Sequence, residues 1–254
     1  MAKTAGIDIG SRTIKVALLQ GKNLLHYQIF DTGIDPLGKA KEILQSLSFD
    51  HIVATGYGRH LLRQELNCPV ITEIKAYALG TNFLFPNCRT VIDIGGQDSK
   101  VIRIEGGKVL DFVMNDRCAA GTGKFLEVMA QTLGYVIEEF WQVALKAKNP
   151  LTINAMCTVF AESEVVSLIA QGEKVENIAL GLHQAVVNRI FALLGNIGFE
   201  EEIIFAGGVA KNLCIVSLLK KKLGKEILIP QEPQIVGAIG AALSISSNRE
   251  EGIN

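Results

Sequence analysis

Two cysteines in this chain each lie just ahead of a predicted helix. Cys118 lies in residues 115–123 (NDRCAAGTG), and Cys157 lies in residues 156–164 (MCTVFAESE). Apolar residues recur at helical spacing after both cysteines. The unpaired N–H groups and the dipole at a helix N-terminus favour negative charge, so both positions suit a thiolate ligand. The alternative is that both are small buried residues, since a cysteine without a ligand packs as a hydrophobe.

A second group of residues could bind phosphate, and it occurs twice. Residues 5–19 (AGIDIGSRTIKVALL) and 90–102 (TVIDIGGQDSKVI) match at a constant separation of 85 positions. The matched pairs are Asp8 with Asp93, Gly10 with Gly95, Lys15 with Lys100, Gly21 with Gly106, and Leu25 with Leu110. A fixed separation held over about twenty positions is an internal repeat. We therefore expect two similar α/β halves facing each other.

Each copy is predicted to form a strand, a tight turn and a second strand. Backbone N–H groups of the two turns could hold a polyphosphate from both sides. Asp8 and Asp93 would then face a Mg²⁺ ion on those phosphates through waters, and Lys15 would neutralise phosphate charge. One copy alone is equally well explained as a buried strand with a turn, but two copies in register favour phosphate binding.

The repeated hairpins resemble the phosphate loops of the actin/Hsp70/sugar-kinase superfamily. Residues 203–212 (IIFAGGVAKN) resemble its adenosine loop, where glycines let the backbone approach a flat ring. Residues 73–80 and 233–243 resemble its two connecting helices. The resemblance implies two ribonuclease-H-like halves, residues 1–85 with 237–254 and residues 86–236, with a nucleotide cleft between them.

The segments between these motifs carry weaker signals. We predict a helix over 35–47, a strand over 51–55 and a long helix over 178–194, with Gly172 ending the helix after Cys157. The helix that holds Trp141 is predicted to end at Asn149-Pro150. Arg59 either meets phosphate or a partner or is a solvated loop residue, and Glu73 either positions water or is a surface carboxylate.

The two cysteine blocks give the most specific resemblance. They closely resemble those of the activator component of 2-hydroxyacyl-CoA dehydratases and the related ATP-using subunits of benzoyl-CoA reductases. The resemblance covers essentially the whole chain, including residues 54–59 (ATGYGR) and 95–100 (GGQDSK). It implies that Cys118 and Cys157 of each subunit hold one [4Fe–4S] cluster shared across a homodimer. This fits the four thiolates that a cubane normally needs, because a two-fold axis supplies the second pair.

The resemblance also implies a function and a set of site residues. The function is an ATP-hydrolysing reductase that passes a low-potential electron to a partner iron–sulfur enzyme, with ferredoxin or flavodoxin as its donor. The catalytic candidates are Gln97, Asp98 and Asp8. The cofactor-binding candidates for ATP are Gly10, Ser11, Arg12, Thr13, Lys15, Asp93, Gly95, Gly96, Gly121, Gly123, Gly207, Gly208, Lys211, Asn212 and Gln234. The metal candidates are Cys118 and Cys157 for the cluster, and Asp8 and Asp93 for Mg²⁺ through water.

Two other functions use the same loops. A sugar- or acid-kinase-type phosphotransferase would need a pocket with a base that accepts a hydroxyl proton. A non-enzymatic scaffold switched by ATP is the third possibility, although the chain is short for actin or Hsp70.

Composition narrows the classes of partner. The net charge is −1, so no basic excess points to nucleic acid or an anionic membrane. No secretory segment and no run of eighteen or more apolar residues is found, so a cytoplasmic protein is expected. Five widely spaced cysteines argue against a disulfide scaffold. Zinc is not expected, because no Cys-x-x-Cys occurs and the histidines lie outside the cysteine blocks.

Overall fold

The computed structural model describes residues 1–115, 119–153 and 157–250, with side chains described to residue 245. In this part of the chain the strands are β1 (Lys3–Ile9), β2 (Thr13–Gln20), β3 (Asn23–Asp31), β4 (His51–Thr55), β5 (Thr90–Ile94), β6 (Ser99–Glu105), β7 (Lys108–Asn115), β8 (Ile203–Ala206) and β9 (Ile227–Leu228). The helices are α1 (Pro36–Gln45), α2 (Arg59–Leu66), α3 (Glu73–Leu84), α4 (Gly123–Thr132), α5 (Ile137–Leu145), α6 (Thr158–Ala170), α7 (Val175–Ile197), α8 (Leu213–Leu223) and α9 (Val236–Glu250).

The chain forms two compact units. Unit 1 comprises Met1–Val91, Ile102–Phe112 and Pro230–Asn254. Unit 2 comprises Ile92–Val101 and Val113–Ile229. The division into halves at residues 85 and 236, expected from the sequence, stays a prediction.

The strands form two sheets with the same order. Among the described residues, one sheet has the order β3-β2-β1-β4 and the other has the order β7-β6-β5-β8-β9. In the first sheet β1 and β2 are antiparallel, while β1 and β4 are parallel. A parallel bridge between Ala54 and Val70 stands beside β4, in the place that β9 takes beside β8. The duplicated α/β architecture predicted from the sequence is confirmed.

The repeat is visible residue by residue. Strands β1, β2 and β3 correspond to β5, β6 and β7 at the separation of 85 positions found in the sequence. The turns that follow β2 and β6 both begin at a glycine with positive φ, 62° at Gly21 and 55° at Gly106. Side chains rarely adopt this conformation, which explains why glycine occupies both positions.

Alternation along the strands of the first sheet separates its two faces. On one face the strand residues Ile7, Ile9, Ile14, Val16 and Ala54 pack with Ala40, Ile43 and Leu44 of α1 and Leu62 of α2. On the opposite face Ala17 and Leu19 pack with Ala238, Ile239 and Ala242 of α9. Asp8, Lys15 and Thr55 alternate with the first set, so they lie on the face that α9 covers.

Helices α3 and α9 make a close contact within unit 1. A Cβ atom at Gly240 would lie 1.7 Å from the carbonyl oxygen of Ala76, and one at Gly80 would lie 2.1 Å from that of Val236. Small residues therefore let the two backbones approach each other. The tight helix contact expected for residues 233–243 is confirmed, while its role as a hinge stays a prediction.

The core of unit 2 is built around α7, which contains the long helix predicted over 178–194. Ten of its residues are buried, among them Leu182, Val186 and Ile190. By length and composition α7 could cross a membrane, and half of its most apolar stretch is buried inside the protein.

Most predicted helix and strand boundaries agree with the structure. The side chain of Asp35 caps α1, β4 covers 51–55, and Gly172 follows the end of α6 with φ of 80°. The predicted end of the Trp141 helix at Asn149-Pro150 is wrong, because α5 ends at Leu145. The following segment instead runs along α7, where Asn177 accepts hydrogen bonds from the N–H groups of Asn149 and Leu151.

Candidate functional site

Asp8 and Lys15 form an ion pair at the carboxyl end of β1. The register of β1 and β2 places them opposite each other, and the Lys15 Nζ lies 3.3 Å from the Asp8 Oδ2. Asp8 is only 4% exposed. A carboxylate this deeply buried needs a cationic or hydrogen-bonding partner, and the lysine supplies one.

Backbone from three segments encloses this pair. Gly10 closes the turn between β1 and β2 with a 3.1 Å hydrogen bond from its N–H to the Thr13 carbonyl, and a Cβ added there would lie 2.9 Å from the Lys15 Nζ. A Cβ at Gly56 would lie 2.4 Å from the Asp8 Oδ1, and one at Gly237 would lie 3.2 Å from the Oδ2. Gly56 has φ of 86°. Side chains at these positions would displace the carboxylate.

The second copy of the hairpin repeats this arrangement and adds a carboxylate. The Lys100 Nζ lies 3.2 Å from the Asp93 Oδ2 and 2.8 Å from the Asp98 Oδ2. The Gly95 N–H donates to the Asp98 carbonyl at 2.9 Å, as the Gly10 N–H does to Thr13. In the repeat, Asp98 therefore stands where the first copy has Thr13.

Lys15 and Lys100 therefore differ in their ion-pair partners. Lys100 lies between two carboxylates and is 2% exposed, whereas Lys15 pairs with the Asp8 carboxylate and is more open to solvent. A phosphate could draw Lys15 away at the cost of its contact with Asp8. Lys100 instead pairs with Asp98, one of the two residues, with Gln97, predicted from the sequence to orient water.

The turn after β4 is the structural counterpart of the loop after β8, a relation that sequence reasoning missed. A Cβ at Gly207 would lie 2.4 Å from the Asp93 Oδ1, the same distance as from Gly56 to Asp8. Gly207 has φ of 85°, against 86° at Gly56. The signal in the sequence is a glycine directly after a buried strand, at Thr55-Gly56 and again at Ala206-Gly207.

Hydrogen bonds join the turn between β5 and β6 to the segment that follows Cys118. The N–H groups of Gly123 and Lys124, at the start of α4, donate to the carbonyls of Gly95 and Gly96 at 2.9 and 2.8 Å. The Ser99 hydroxyl donates to the Gly121 carbonyl at 2.5 Å. The predicted site residues Gly95, Gly96, Gly121 and Gly123 thus lie together in unit 2.

The buried His183 contacts Asn212, at the end of the loop that follows β8. Asn212 caps α8 by accepting a 3.0 Å hydrogen bond from the Ile215 N–H, and its Nδ2 lies 3.0 Å from the His183 Nε2. The His183 Nδ1 lies 2.7 Å from the Ala179 carbonyl, to which the neutral ring donates. Burial lowers the pKa of His183 from 6.5 to about 4, against a smaller opposing effect of that backbone contact.

The cysteines fall into two environments. Cys157 is exposed and directly precedes α6, as predicted, whereas Cys68, Cys88 and Cys214 are buried. Burial raises the pKa of Cys68 above its ordinary value and raises that of Cys214 to about 12. These two thiols are therefore poor thiolate ligands. Cys118 lies outside the described residues.

Comparison with known proteins decides the family. A model of the BadF/BadG/BcrA/BcrD ATPase family matches residues 5–244. The chain belongs to this ATPase family. Its ATPase class and its resemblance to dehydratase activators, both predicted from the sequence, are confirmed.

Two solved structures and one further relative show how close the family members are. The crystal structure of the Acidaminococcus fermentans (R)-2-hydroxyglutaryl-CoA dehydratase component A matches with a TM-score of 0.90 at 37% identity, over 96% of this chain and 97% of that one. The activator of the 2-hydroxyisocaproyl-CoA dehydratase from Clostridium difficile, with bound ADPNP, matches with a TM-score of 0.86 at 36% identity, over 99% and 98%. One of the benzoyl-CoA reductase subunits of Thauera aromatica is 30% identical over 96% and 93%. The predicted actin-like ATPase fold is confirmed.

In this family member, α6 exposes an apolar face next to Cys157. Only its opposite side, with Ala161 and Val165, is buried in unit 2. The exposed apolar side chains are Val159, Phe160, Val166 and Ile169, with Phe160 70% exposed. Several large apolar side chains exposed on one helix are typical of a protein interface.

The remaining site candidates of this ATPase lie mostly at the surface. Ser11, Arg12, Gln97, Gly208 and Lys211 are exposed, and Thr13 and Gln234 are half-buried. The N–H of Gln234 donates to the Glu232 carboxylate at 3.2 Å. Of the residues with two interpretations, Arg59 donates to the Gly56 carbonyl at 3.0 Å and closes its own turn, while Glu73 lies in the first turn of α3.

Proposed function

We propose that this ATPase is an iron–sulfur reductase component that passes a low-potential electron to a partner iron–sulfur enzyme. The partner would be a 2-hydroxyacyl-CoA dehydratase or a related reductase, and ferredoxin or flavodoxin would be the electron donor in the cytoplasm. The names of the relatives, which include dehydratase activators and one of the benzoyl-CoA reductase subunits, support a role beside a partner enzyme.

The observation that carries this proposal is the bonding between the second phosphate loop and the segment after Cys118. Gly95 and Gly96 hold the first N–H groups of α4, and Ser99 holds the Gly121 carbonyl. A shift of the loop on binding or losing a phosphate would therefore move the start of α4 as well. Such a link couples ATP turnover to the cysteine segment, whereas a phosphotransferase has no need of it.

The described residues fit a cluster ligand at Cys157. Its side chain is exposed, and it precedes α6, whose free N–H groups and dipole favour a thiolate. Cys118 and Cys157 would hold a [4Fe–4S] cluster together with the same two residues of a second subunit. When bound, that cluster would supply one-electron transfer at low potential.

The exposed apolar face of α6 supports the homodimer that this cluster requires. Val159, Phe160 and Val166 lie on α6, which Cys157 directly precedes, so an interface that covers them would bring two copies of Cys157 towards one axis.

The nucleotide side of the proposal rests on the two hairpins. ATP and Mg²⁺ would be bound by the loops that begin at Gly10 and Gly95, with Asp8 and Asp93 as the water-mediated Mg²⁺ residues. Lys15 is placed to exchange its contact with Asp8 for a phosphate. Gln97, exposed beside the second loop, and Asp98, paired with Lys100, are the candidates that orient water.

The test compares cysteine variants of protein purified without oxygen. Cys157→Ser and Cys118→Ser each remove two of the four thiolates of a dimer, so iron, visible absorbance and electron transfer should be lost while ATP binding survives. Cys68→Ser and Cys214→Ser are the matched controls and should keep about four iron atoms per dimer.

Two results would count against the proposal. Iron that follows Cys68 or Cys214, or a complete cluster in each single chain, would overturn the shared site. Colourless wild-type protein whose ATP turnover depends on an added hydroxyl compound would indicate a phosphotransferase instead.

A further inference from the structure

Thr55 carries a buried hydroxyl beside the proposed nucleotide site. The registers of β1 with β2 and β4 place Lys15, Asp8 and Thr55 side by side in one row across three strands. Ala54 packs on the α1 and α2 face, so Thr55 points to the opposite face with Asp8.

The Thr55 hydroxyl lacks a partner within the described residues. Thr55 is 0% exposed, and its Oγ1 makes no hydrogen bond there. Buried polar groups are nearly always hydrogen-bonded, to the protein or to an ordered water. A hydroxyl at this position therefore calls for a partner such as an ordered water, and the neighbouring Asp8 carboxylate is placed to share that water.

The second half of the molecule provides an internal comparison. Since Gly207 corresponds to Gly56, Ala206 takes the place of Thr55 beside Asp93. The row that contains Asp93 thus has the same lysine and carboxylate but a methyl group instead of the hydroxyl. Packing at this position therefore does not require a polar group. The hydroxyl beside Asp8 is thus a specific feature of the first half, which favours a role for it in the reaction.

We propose that Thr55 is a positioning residue of the ATPase reaction, whose Oγ1 holds the water through which the Asp8 carboxylate would contact Mg²⁺ when nucleotide is bound. Gly56 and Gly237 contribute because a side chain at either position would crowd the Asp8 carboxylate oxygens. This inference rests on the proposed placement of nucleotide beside Asp8.

The test is Thr55→Val, which removes the hydroxyl and keeps the branched shape. The ATP turnover number should fall on the order of tenfold or more, because a water held by one group instead of two is misplaced. The KM for ATP should stay within about threefold, and Thr55→Ser should recover turnover. The urea midpoint of the nucleotide-free protein should be unchanged or higher, since an unbonded buried hydroxyl is removed.

Thr81→Val is the matched control, because Thr81 is also 0% exposed and its Oγ1 also lacks a partner in the described residues, but it lies on α3 away from the row. It should keep wild-type turnover. Wild-type turnover in Thr55→Val, or an equal loss in Thr81→Val, would overturn the inference. Asp8→Ala separates the two proposals: if it hydrolyses ATP normally, the nucleotide placement itself fails, whereas its inactivity beside an active Thr55→Val refutes only the role of Thr55.

Discussion

At the residue scale, His183 connects the β8 loop to the stability of unit 2. Its neutral ring fits between the Ala179 carbonyl and Asn212, and burial lowers its pKa to about 4. In the unfolded chain this histidine takes up a proton near pH 6.5, whereas in the folded protein it does so only near pH 4. Between these two pH values the unfolded state therefore binds more protons than the folded state. The contribution of His183 is therefore complete above pH 6.5 and is lost as the pH falls towards 4.

We expect this single residue to remove about 2–3 kcal/mol of folding free energy between pH 7 and pH 4.5. Urea unfolding of nucleotide-free protein at both pH values measures the loss. Carboxylates also contribute to acid sensitivity, so His183→Gln is the reference: its loss over the same interval should be smaller by that amount. Equal losses in the two proteins would contradict the assignment of a buried neutral histidine.

The internal repeat decided which residues of the candidate site could be predicted from the sequence. Asp8, Gly10 and Lys15 each have a counterpart at the same separation, so the motif was visible without a structure. Gly56 and Gly207 lie equally close to Asp8 and Asp93, but they are 151 positions apart. The segment that precedes β8 is longer than the one that precedes β4. A search for one fixed separation cannot find that pair, and it cannot see that Thr55 is unbonded.

At the element scale, the contact of α3 with α9 depends on the absence of side chains. Gly240→Ala would place a Cβ 1.7 Å from the Ala76 carbonyl oxygen, which is backbone and cannot rotate away. The helices must separate, and we expect a loss of about 1–3 kcal/mol or more in the free energy of unfolding. Urea unfolding of the nucleotide-free protein measures it.

Gly195→Ala is the control for the substitution itself. Gly195 lies in α7 with nothing within 4 Å of its added Cβ, and it is exposed. There alanine should stabilise the protein by roughly 0.5–1 kcal/mol, since it restricts the unfolded chain and favours helix. A Gly240→Ala protein as stable as Gly195→Ala would show that the close approach of α3 and α9 is dispensable.

Sequence periodicity predicted the positions of helices and strands more reliably than those helix ends that depend on contacts with other elements. The strand β4 and the helix α7 were placed correctly because their apolar patterns are strong. The end of α5 was misplaced because Pro150 was taken as the stop signal. In the structure the helix ends earlier, and Asn149 and Leu151 beyond it bond to Asn177 of α7, a long-range contact that local sequence does not encode.

At the scale of the whole molecule, the duplication supplies two similar halves in which different residues have diverged. Lys100 pairs with Asp98, whose place in the first hairpin is taken by the uncharged Thr13, and Thr55 stands where the second half has Ala206. The first hairpin retains an exchangeable lysine, while the second is bonded to α4. Under the proposed function, the first half would respond to phosphate chemistry and the second would transmit it to the cysteines.

The exposed apolar side chains of α6 lead to a prediction about the oligomeric state. If α6 forms the dimer interface, Phe160→Asp should weaken dimerisation on the order of tenfold or more, because an aromatic side chain at the centre of an interface is replaced by a charge. Phe160 is 70% exposed in the single chain, so the monomer fold should tolerate the change. Sedimentation equilibrium under anaerobic conditions measures the dissociation constant.

Leu145→Asp is the matched control, because Leu145 is also apolar and 51% exposed but lies on α5. It should dimerise as the wild type does. If the cluster is shared, Phe160→Asp should also lose iron in proportion to the monomer fraction, although both of its own cysteines are intact. A Phe160→Asp protein that stays dimeric, or a monomeric one that keeps all its iron, would separate the cluster from α6 and contradict a cluster bridged at this face.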